Sequence, residues 1–233
     1  MSTVLRDSIE IIPGRLYWYC NKYPPRNQPN SYFFNIDEIL VYEPFNYDFG
    51  PLNLGKMHKF CTDLSQVLQQ SEQNQQCKIF HHCSTHYAKM ANACFLMGSF
   101  MVVCLGFSAD EAWAKFRPYH KNLVSFRDAS QDESCSYELT TLSCLRGLQF
   151  GMKMGWYNFK KFNLDDYDYF SQVSSGDMNW IVPSRFLALS SPTGNLKELG
   201  LTPEFYGKYF QQFGIRHVVR FNKASYEKSR FEK

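Results

Sequence analysis

The sequence has 233 residues, of which 44% are hydrophobic and 20% are charged, a composition typical of a globular protein. The formal net charge is +3, and residues 220–233 carry all of that excess because they hold five basic and two acidic side chains. A neutral body with a small basic end lacks the concentrated basic face that nucleic-acid binding requires. We therefore predict no nucleic-acid partner.

The apolar segments are too short for a membrane span. The longest, ACFLMGSFMVVCLGF at residues 93–107, is shorter than the roughly 20 residues that cross a bilayer. The first ten residues carry charges and lack the apolar run of a signal peptide. We predict no membrane partner, and reduced cysteines in the cytosol or nucleus. The eight Cys form no C-x-x-C pair, so no zinc ribbon or thioredoxin motif is indicated, and we predict no cofactor.

Strands and helices alternate along the first part of the chain. Runs rich in β-branched and aromatic residues predict strands at 9–12, 15–20, 31–36, 39–42 and 78–82. Asn53 is a candidate N-cap for an amphipathic helix that extends to about residue 70. Residues 89–105 predict a helix that is apolar all round and therefore buried. Ser108 and Glu111 form the capping box of a short helix.

The later part of the chain continues this alternation. Helices are predicted at 137–154, at 165–173 and from Thr202-Pro203 to Gly214, and strands at 180–182, 186–189 and 215–221. The whole pattern predicts an α/β fold with a mixed sheet flanked by helices. We place one domain at 1–160 and a linker helix at 161–180. Residues 181–233 are too few to close a core alone, so we interpret them as the start of a second domain that the chain does not complete.

The strongest local signal for chemistry is HHCSTHYAK at residues 81–89, between a strand and a buried helix. Cysteine phosphatases place a thiolate below a loop whose backbone N–H groups bind phosphate, and an Arg six residues later binds two phosphate oxygens. Here Lys89 stands six residues after Cys83, and the loop contains no Gly. Lysine is a point charge and cannot form the two-pronged contact. Two interpretations remain open: a degenerate phosphatase loop, or an ordinary strand–turn–helix with a buried Cys. Both predict no catalytic residue here.

Three histidines near this loop raise the question of a metal. Neighbours on a strand point to opposite faces, so His81 and His82 do not share one ion easily. No carboxylate is close to them or to His86 in sequence. We therefore predict no metal site.

A second group of candidate residues is acidic: Asp165, Asp166, Asp168 and Asp177. They alternate with aromatic residues and could attract a basic peptide. The simpler alternative is that Asp165 and Asp166, in a first helical turn, complement the helix dipole while the aromatic side chains pack inward.

Six segments in order resemble the cell-division-cycle-fourteen family of dual-specificity protein phosphatases. The segments are FGPLNL at 49–54, ANA at 91–93, FRDAS at 126–130, GDMNWIVP at 176–183, FLA at 186–188 and VVRFNK at 218–223. The resemblance covers nearly the whole chain from about Leu16.

This resemblance implies two phosphatase-like domains in tandem, of which the first lacks a nucleophile and helps to form the substrate groove. The second domain of the family carries an H-C-x-x-G-x-G-R-T loop and a general-acid Asp, and we expect the chain to stop before both. The family's linker helix contributes acidic groups to a groove that prefers a basic residue after phosphoserine-proline. Asp177 stands where one such carboxylate is expected, and we add Asp165, Asp166 and Asp168 as further candidates.

The function that the resemblance implies is protein dephosphorylation in cell division and mitotic exit, on Ser/Thr and Tyr phosphates. Its location would be the nucleus and cytoplasm, including the spindle or centrosome. The alternative is a non-catalytic pseudophosphatase or protein-binding module, such as a short isoform. The sequence does not predict an oligomeric state.

Overall fold

The structure, a computed structural model, describes residues 3–72, 77–129, 137–194 and 201–231. The chain divides into two compact units, Met1–Lys160 and Lys161–Lys233. The described part of the first unit contains α1 (Thr3–Arg6), β1 (Ile9–Ile12), β2 (Leu16–Cys20), β3 (Ser31–Phe34), α2 (Leu54–Glu72), β4 (Lys78–Cys83), α3 (Tyr87–Cys104), α4 (Ala109–Lys115) and α5 (Thr141–Lys153). The predicted α/β class is confirmed.

The sheet of the first unit has the order β1-β2-β4-β3. Strands β2 and β3 run parallel to β4, and β1 runs antiparallel to β2. The sheet is therefore mixed, as predicted. Because β2, β3 and β4 are parallel, the segments that follow Cys20, Phe34 and Cys83 leave the sheet at the same edge.

Helix α3 forms the centre of the first unit and contacts α2, α4, α5 and β4. Thirteen consecutive residues of α3, from Met90 to Val102, are buried, which matches its all-round apolar sequence. Helix α5 approaches α3 closely at Gly98, where an added Cβ would lie 2.9 Å from Cδ1 of Leu145. Leu145 is fully buried. A side chain at position 98 would therefore have to displace it.

Helix α3 is also long and apolar enough to cross a membrane by length and composition, and no other helix in the described ranges is. However, 72% of its 18-residue window is buried inside the protein. The core helix of a globular domain has the same properties.

Three of the segments that carry the family resemblance meet at one corner of the first unit. The backbones of Phe49 and Arg127 exchange hydrogen bonds of 3.0 and 2.7 Å. The Asn92 side chain accepts a hydrogen bond from the N–H of Leu52 at 2.9 Å and donates one to the carbonyl of Gly50 at 3.2 Å. Buried polar groups cost stability unless they are hydrogen-bonded, so Asn92 is a structural residue that fixes the entry to α2.

The second unit contains α6 (Leu164–Phe170), β5 (Met178–Val182), β6 (Phe186–Leu189) and α7 (Pro203–Phe213) in its described part. Strands β5 and β6 form an antiparallel hairpin. Its core is Met178, Tyr206 and Phe210, with partly buried apolar side chains around them. Helix α7 begins after the Thr202 cap and ends at Gly214, where φ is +68°, both as predicted.

Two predicted strands are wrong. At residues 39–42 the chain forms a turn instead, in which the N–H groups of Ile39 and Leu40 both donate to the carbonyl of Ile36. These local bonds use the groups that a strand would pair with a neighbour. Residues 215–221 have no strand partner among the described residues, and Phe221 is 98% exposed. Apolar residues alone do not make a strand without a ladder of backbone hydrogen bonds.

Two helices also differ from the prediction, one at its start and one at its end. The helix expected at 137–154 begins at Thr141, because Leu139 pairs with Phe126 in an isolated β-bridge and Thr140 caps the helix. The helix expected at 165–173 is α6, capped by Asn163 and followed by a separate 3₁₀ turn at Val173–Ser175.

Candidate functional site

The loop after Cys83 has the strand–loop–helix arrangement of a cysteine phosphatase. Cys83 ends β4, Ser84 to His86 form the loop, and α3 begins at Tyr87. His86 occupies the N-cap position with an extended backbone but makes no side-chain capping bond. The sequence therefore builds the framework that such a site needs, and its chemistry depends on the side chains around it.

The Cys83 thiol is fully buried. Burial raises the pKa of Cys83 well above its usual value, and a hydrogen bond with Cys20 raises this pKa further. Cys20 lies directly opposite Cys83 on β2, and its thiol donates to the carbonyl oxygen of Ser84 at 3.5 Å. Only the thiolate is a strong nucleophile, so burial and the raised pKa both disfavour Cys83 as a nucleophile.

A carboxylate occupies the loop where an anion would bind. The backbone N–H of Ser84 donates to Oδ2 of Asp37 at 2.9 Å. Asp37 follows β3 and is only 9% exposed, and its own N–H donates to Oδ1 of Asn35 at 2.7 Å. An active phosphate loop keeps its backbone N–H groups free for the substrate. Here one of them is already satisfied by a negatively charged side chain, which would repel phosphate.

Lys89 also has a partner within the protein. Its ammonium forms a salt bridge with Glu38, and this hydrogen bond raises the pKa of Lys89. The Glu38 side chain is 82% exposed, and exposed ion pairs contribute little to stability. The pair matters more for function, because Lys89 stands where cysteine phosphatases place their phosphate-binding Arg, and its charge is neutralised by a carboxylate.

A pocket of about 290 Å³ lies beside this loop. Its lining is mainly apolar, and its charged members are Asp37, Asp48 and Lys89. Asp48 accepts a 2.5 Å hydrogen bond from the Tyr42 hydroxyl. Two carboxylates against one paired ammonium do not suit a phosphate.

The three histidines are not grouped. His81 is buried between the rings of Phe34 and Phe60, whereas His82 contacts Tyr19 and the Asn35 side chain. These different partners confirm that His81 and His82 point to opposite faces of the sheet. His86 stacks on Tyr87. Among the described residues, no three His, Cys, Asp or Glu side chains are close enough to hold a metal ion.

Three of the four candidate groove carboxylates lie on α6. Asp165, Asp166 and Asp168 are all exposed. The Asn163 side chain caps α6 by accepting from the N–H of Asp166 at 3.2 Å, and its amide donates to the Asp166 carboxylate at 2.7 Å. Asp165 and Asp168 are three residues apart and therefore share a helix face.

Asp177 lies in the turn between α6 and β5. Its φ is +45° and follows a φ of +114° at Gly176. The N–H of Asp177 donates to Gln172 at 3.0 Å and its carbonyl accepts from Ser190 at 3.1 Å, while the Tyr206 hydroxyl donates to the carbonyl of Gly176 at 2.9 Å. The left-handed conformation is rare for a residue other than Gly, although Asp tolerates it. The backbone is therefore fixed while the carboxylate is exposed.

These four carboxylates are exposed but do not form one contact cluster. The Ser171 hydroxyl, just after α6, donates to Oδ1 of Asn179 at 3.0 Å, which fixes the carboxyl end of the helix on β5. Asp165 and Asp166 stand at the other end of α6. The described residues show no hydrogen bond or ion pair that joins Asp177 to the α6 carboxylates.

Asp37, Glu38 and Cys20 were not predicted as site residues from the sequence. One signal could have found the two acids: β3 and β4 were both predicted strands, and the residues that follow neighbouring parallel strands meet at one edge of the sheet. Cys20 and Cys83, at the ends of two such strands, follow the same logic.

The family model for the N-terminal half of dual specificity protein phosphatases matches residues 10–151. The chain belongs to this family. Human dual specificity protein phosphatase CDC14A is 39% identical over 97% of the chain, and the chain covers 39% of that protein. The tyrosine-protein phosphatase cdc-14 of Caenorhabditis elegans is 30% identical over the whole chain, which covers 35% of it. The Schizosaccharomyces pombe CDC14 homologue is also 30% identical, and 44% of it is covered.

The chain thus spans about two fifths of the length of these curated relatives. The family match lies in the first structural unit, which holds the loop after Cys83. The similarity to the CDC14 phosphatases also extends over the second unit. The resemblance described from six short segments is confirmed at the level of the CDC14 family.

Proposed function

We propose that this chain is the substrate-groove part of a dual-specificity protein phosphatase that acts on Ser/Thr and Tyr phosphates in cell division and mitotic exit. Its work would be in the nucleus and cytoplasm, including the spindle or centrosome. Phosphoester hydrolysis would belong to a nucleophile other than Cys83.

The proposal rests mainly on the fixed backbone and the exposed carboxylate of Asp177. Its backbone is fixed in a left-handed turn by bonds to Gln172 and Ser190. Its carboxylate is exposed, and among the described residues it forms no hydrogen bond or ion pair. Residues in sparsely populated backbone conformations concentrate at functional sites. A fixed, unpaired carboxylate is suited to a basic group on a partner.

The preferred substrate would carry phosphoserine-proline followed by Lys or Arg. A Lys or Arg side chain near Asp177 gains a charge-assisted hydrogen bond. Asp165, Asp166 and Asp168 add negative potential on α6, which attracts the same basic residue over a longer range.

The contacts of the loop after Cys83 support the assignment of hydrolysis to a different nucleophile. Its thiol is buried, one loop N–H is bound to Asp37, and Lys89 is paired with Glu38. Each feature removes one requirement of a working phosphate site: the thiolate, the unoccupied backbone N–H groups of the loop and the unpaired cation.

The test is a charge series at Asp177 in a chain extended through a catalytic half. Asp177→Asn removes the charge and keeps a residue that tolerates the left-handed conformation. Asp177→Lys reverses the charge. We expect the reversal to reduce kcat/KM about tenfold, or about 1.4 kcal/mol, on phosphoserine-proline peptides followed by Lys. Asp177→Asn should lie in between.

Two controls separate recognition from misfolding. Neither Asp177 variant should change kcat/KM on a small uncharged aryl phosphate. Glu43→Lys, at an exposed acid in the first unit, should leave kcat/KM unchanged on both the peptide and the aryl phosphate. The peptide effect should shrink at high salt because screening weakens exposed charge pairs. Equal losses on peptide and aryl phosphate would remove Asp177 from the groove.

A further inference from the structure

We propose that Cys61 and Cys104 form an oxidisable dithiol that closes to a disulfide with hydrogen peroxide and joins α2 to the carboxyl end of α3. The inference is independent of the groove and of Asp177. It rests on the packing of the two helices and on the contacts of the two sulfur atoms.

The two residues lie on α2 and α3, which pack against each other. Cys61 is fully buried on α2, and Cys104 is the last residue of α3 and partly exposed. The Ser65 hydroxyl lies 2.7 Å from the carbonyl oxygen of Cys61 and 3.7 Å from Sγ of Cys104. The Cys61 thiol lies 3.6 Å from Sδ of Met57, and a hydrogen bond between the Cys61 and Cys104 side chains shifts the pKa of both thiols. Cys104 is therefore the more accessible of the two thiols.

The two thiols differ in a way that assigns their roles. The hydrogen bond with Cys61 lowers the pKa of Cys104, burial opposes this, and the Ser65 hydroxyl lowers it further. The same bond and burial raise the pKa of Cys61 well above its usual value. Thiolate character and access decide which cysteine an oxidant attacks. Because Cys104 is partly exposed and Cys61 is fully buried, Cys104 is the attacking thiol and Cys61 is the resolving thiol.

The reaction runs in two balanced steps. The Cys104 thiolate attacks one oxygen of hydrogen peroxide, an S–O bond forms, the O–O bond breaks, and the departing hydroxide takes a proton to become water. The sulfur of Cys61 then attacks the sulfur of the Cys104 sulfenic acid. The S–O bond breaks, and the hydroxide leaves as water with the proton of Cys61. Two thiols and one peroxide give one disulfide and two waters.

The chain contains a built-in comparison. Cys20 and Cys83 also form a hydrogen-bonded pair of thiols, at directly opposite positions on β2 and β4. Both are buried, at 9% and 0% exposure, so peroxide reaches neither of them easily. Cys144 is partly exposed, but burial raises its pKa to about 12. The proposal therefore predicts that Cys104 reacts before Cys144 and that Cys61–Cys104, not Cys20–Cys83, is the pair that closes.

The experiment treats the reduced 233-residue chain with one equivalent of hydrogen peroxide at pH 7, blocks the remaining thiols, and maps all eight Cys by mass spectrometry. We expect a Cys61–Cys104 cross-link that lacks two hydrogen atoms, with Cys20, Cys83 and Cys144 reduced. Cys104 should be consumed at least about tenfold faster than Cys144, because far less of Cys144 is thiolate. In Cys61→Ser, Cys104 should be trapped as a sulfenic acid by dimedone, without a cross-link. In Cys104→Ser, Cys61 should stay reduced.

Circular dichroism of each Ser variant checks that the fold is retained, and Ser65→Ala gives a second readout. Losing that hydroxyl should slow the oxidation of Cys104 while leaving the Cys61–Cys104 cross-link as the final product. First oxidation at Cys144, a Cys20–Cys83 cross-link, or a persistent Cys104 sulfenic acid in the wild-type chain would each overturn the proposal.

Discussion

The carboxylate of Asp37 accepts a 2.9 Å hydrogen bond from the backbone N–H of Ser84. The two residues are 47 positions apart, yet this contact decides the chemistry of the loop after Cys83, because it places a negative charge where a phosphate would be held. Together with the Glu38–Lys89 pair, it turns a phosphate-binding framework into a structural joint between β3, β4 and α3.

Replacing Asp37 should therefore destabilise the first unit. Asp37→Ala leaves the N–H of Ser84 without its charged acceptor, and such bonds are worth about 1.5–3 kcal/mol. Asp37→Asn should cost less because its amide oxygen can still accept. Urea unfolding, read as a change in midpoint at constant slope, gives these values. Glu38→Ala is the matched control and should cost no more than about 1 kcal/mol. An Asp37→Ala cost below that of the control would contradict the role given to the contact.

Stability should fall as the solution is acidified below about pH 6.5, partly through His81. Burial lowers the pKa of His81 to about 3, and neither ring nitrogen has a hydrogen-bond partner among the residues that the structure describes. Between the unfolded value near 6.5 and about 3, the unfolded chain binds a proton that the folded chain does not. Each such proton removes about 1.4 kcal/mol per pH unit.

In His81→Leu, the free energy of unfolding should depend less steeply on pH, by about 1.4 kcal/mol per pH unit. Some slope should remain, because burial also lowers the pKa of His58. Phe60→Leu, which alters the packing around His81 without removing a titrating group, should lower stability without changing the slope. An unchanged slope in His81→Leu would show that His81 does not stay neutral in the folded protein.

The close approach of α3 and α5 predicts that the effect of Gly98→Ala on stability changes sign when Leu145 is also replaced. Gly98→Ala should destabilise the wild-type chain by about 1 kcal/mol or more, because overpacking against Leu145 outweighs the gain in helix propensity. Leu145→Ala alone should cost about 2–5 kcal/mol. In the Leu145→Ala background, Gly98→Ala should become stabilising, by up to about 1 kcal/mol. Additive effects in a double-mutant cycle would contradict this packing account.

Most of the secondary structure could be predicted because its signals are local. Asn53, Ser108 and Thr202 cap the helices that their positions predict, and each cap bond spans only three residues. The burial of α3 on all sides is evident from its apolar sequence. The two wrong strands, at 39–42 and 215–221, have the composition of strands, but strands also need a neighbour, and a neighbour is not a local property.

The candidate site was less predictable for the same reason. Neither the Asp37–Ser84 contact nor the pairing of Cys20 with Cys83 has a signature within any short window. Asp177 was named as one of four acidic candidates, and only the resemblance to relatives placed it in a substrate groove. Its left-handed φ of +45° depends on bonds to Gln172 and Ser190, on both sides of the β5 turn, and on Tyr206 holding Gly176.

We propose that this region positions substrate and that the loop after Cys83 does no chemistry. The most direct test is alkylation of Cys83 by iodoacetamide from pH 6 to 9, with and without inorganic phosphate, alongside hydrolysis of an aryl phosphate by the 233-residue chain and by Cys83→Ser. We predict that Cys83 stays unmodified while the protein is folded, that phosphate has no effect, and that both chains lack turnover. Rapid alkylation of Cys83 at neutral pH that phosphate prevents, with turnover that is lost in Cys83→Ser, would contradict the claim.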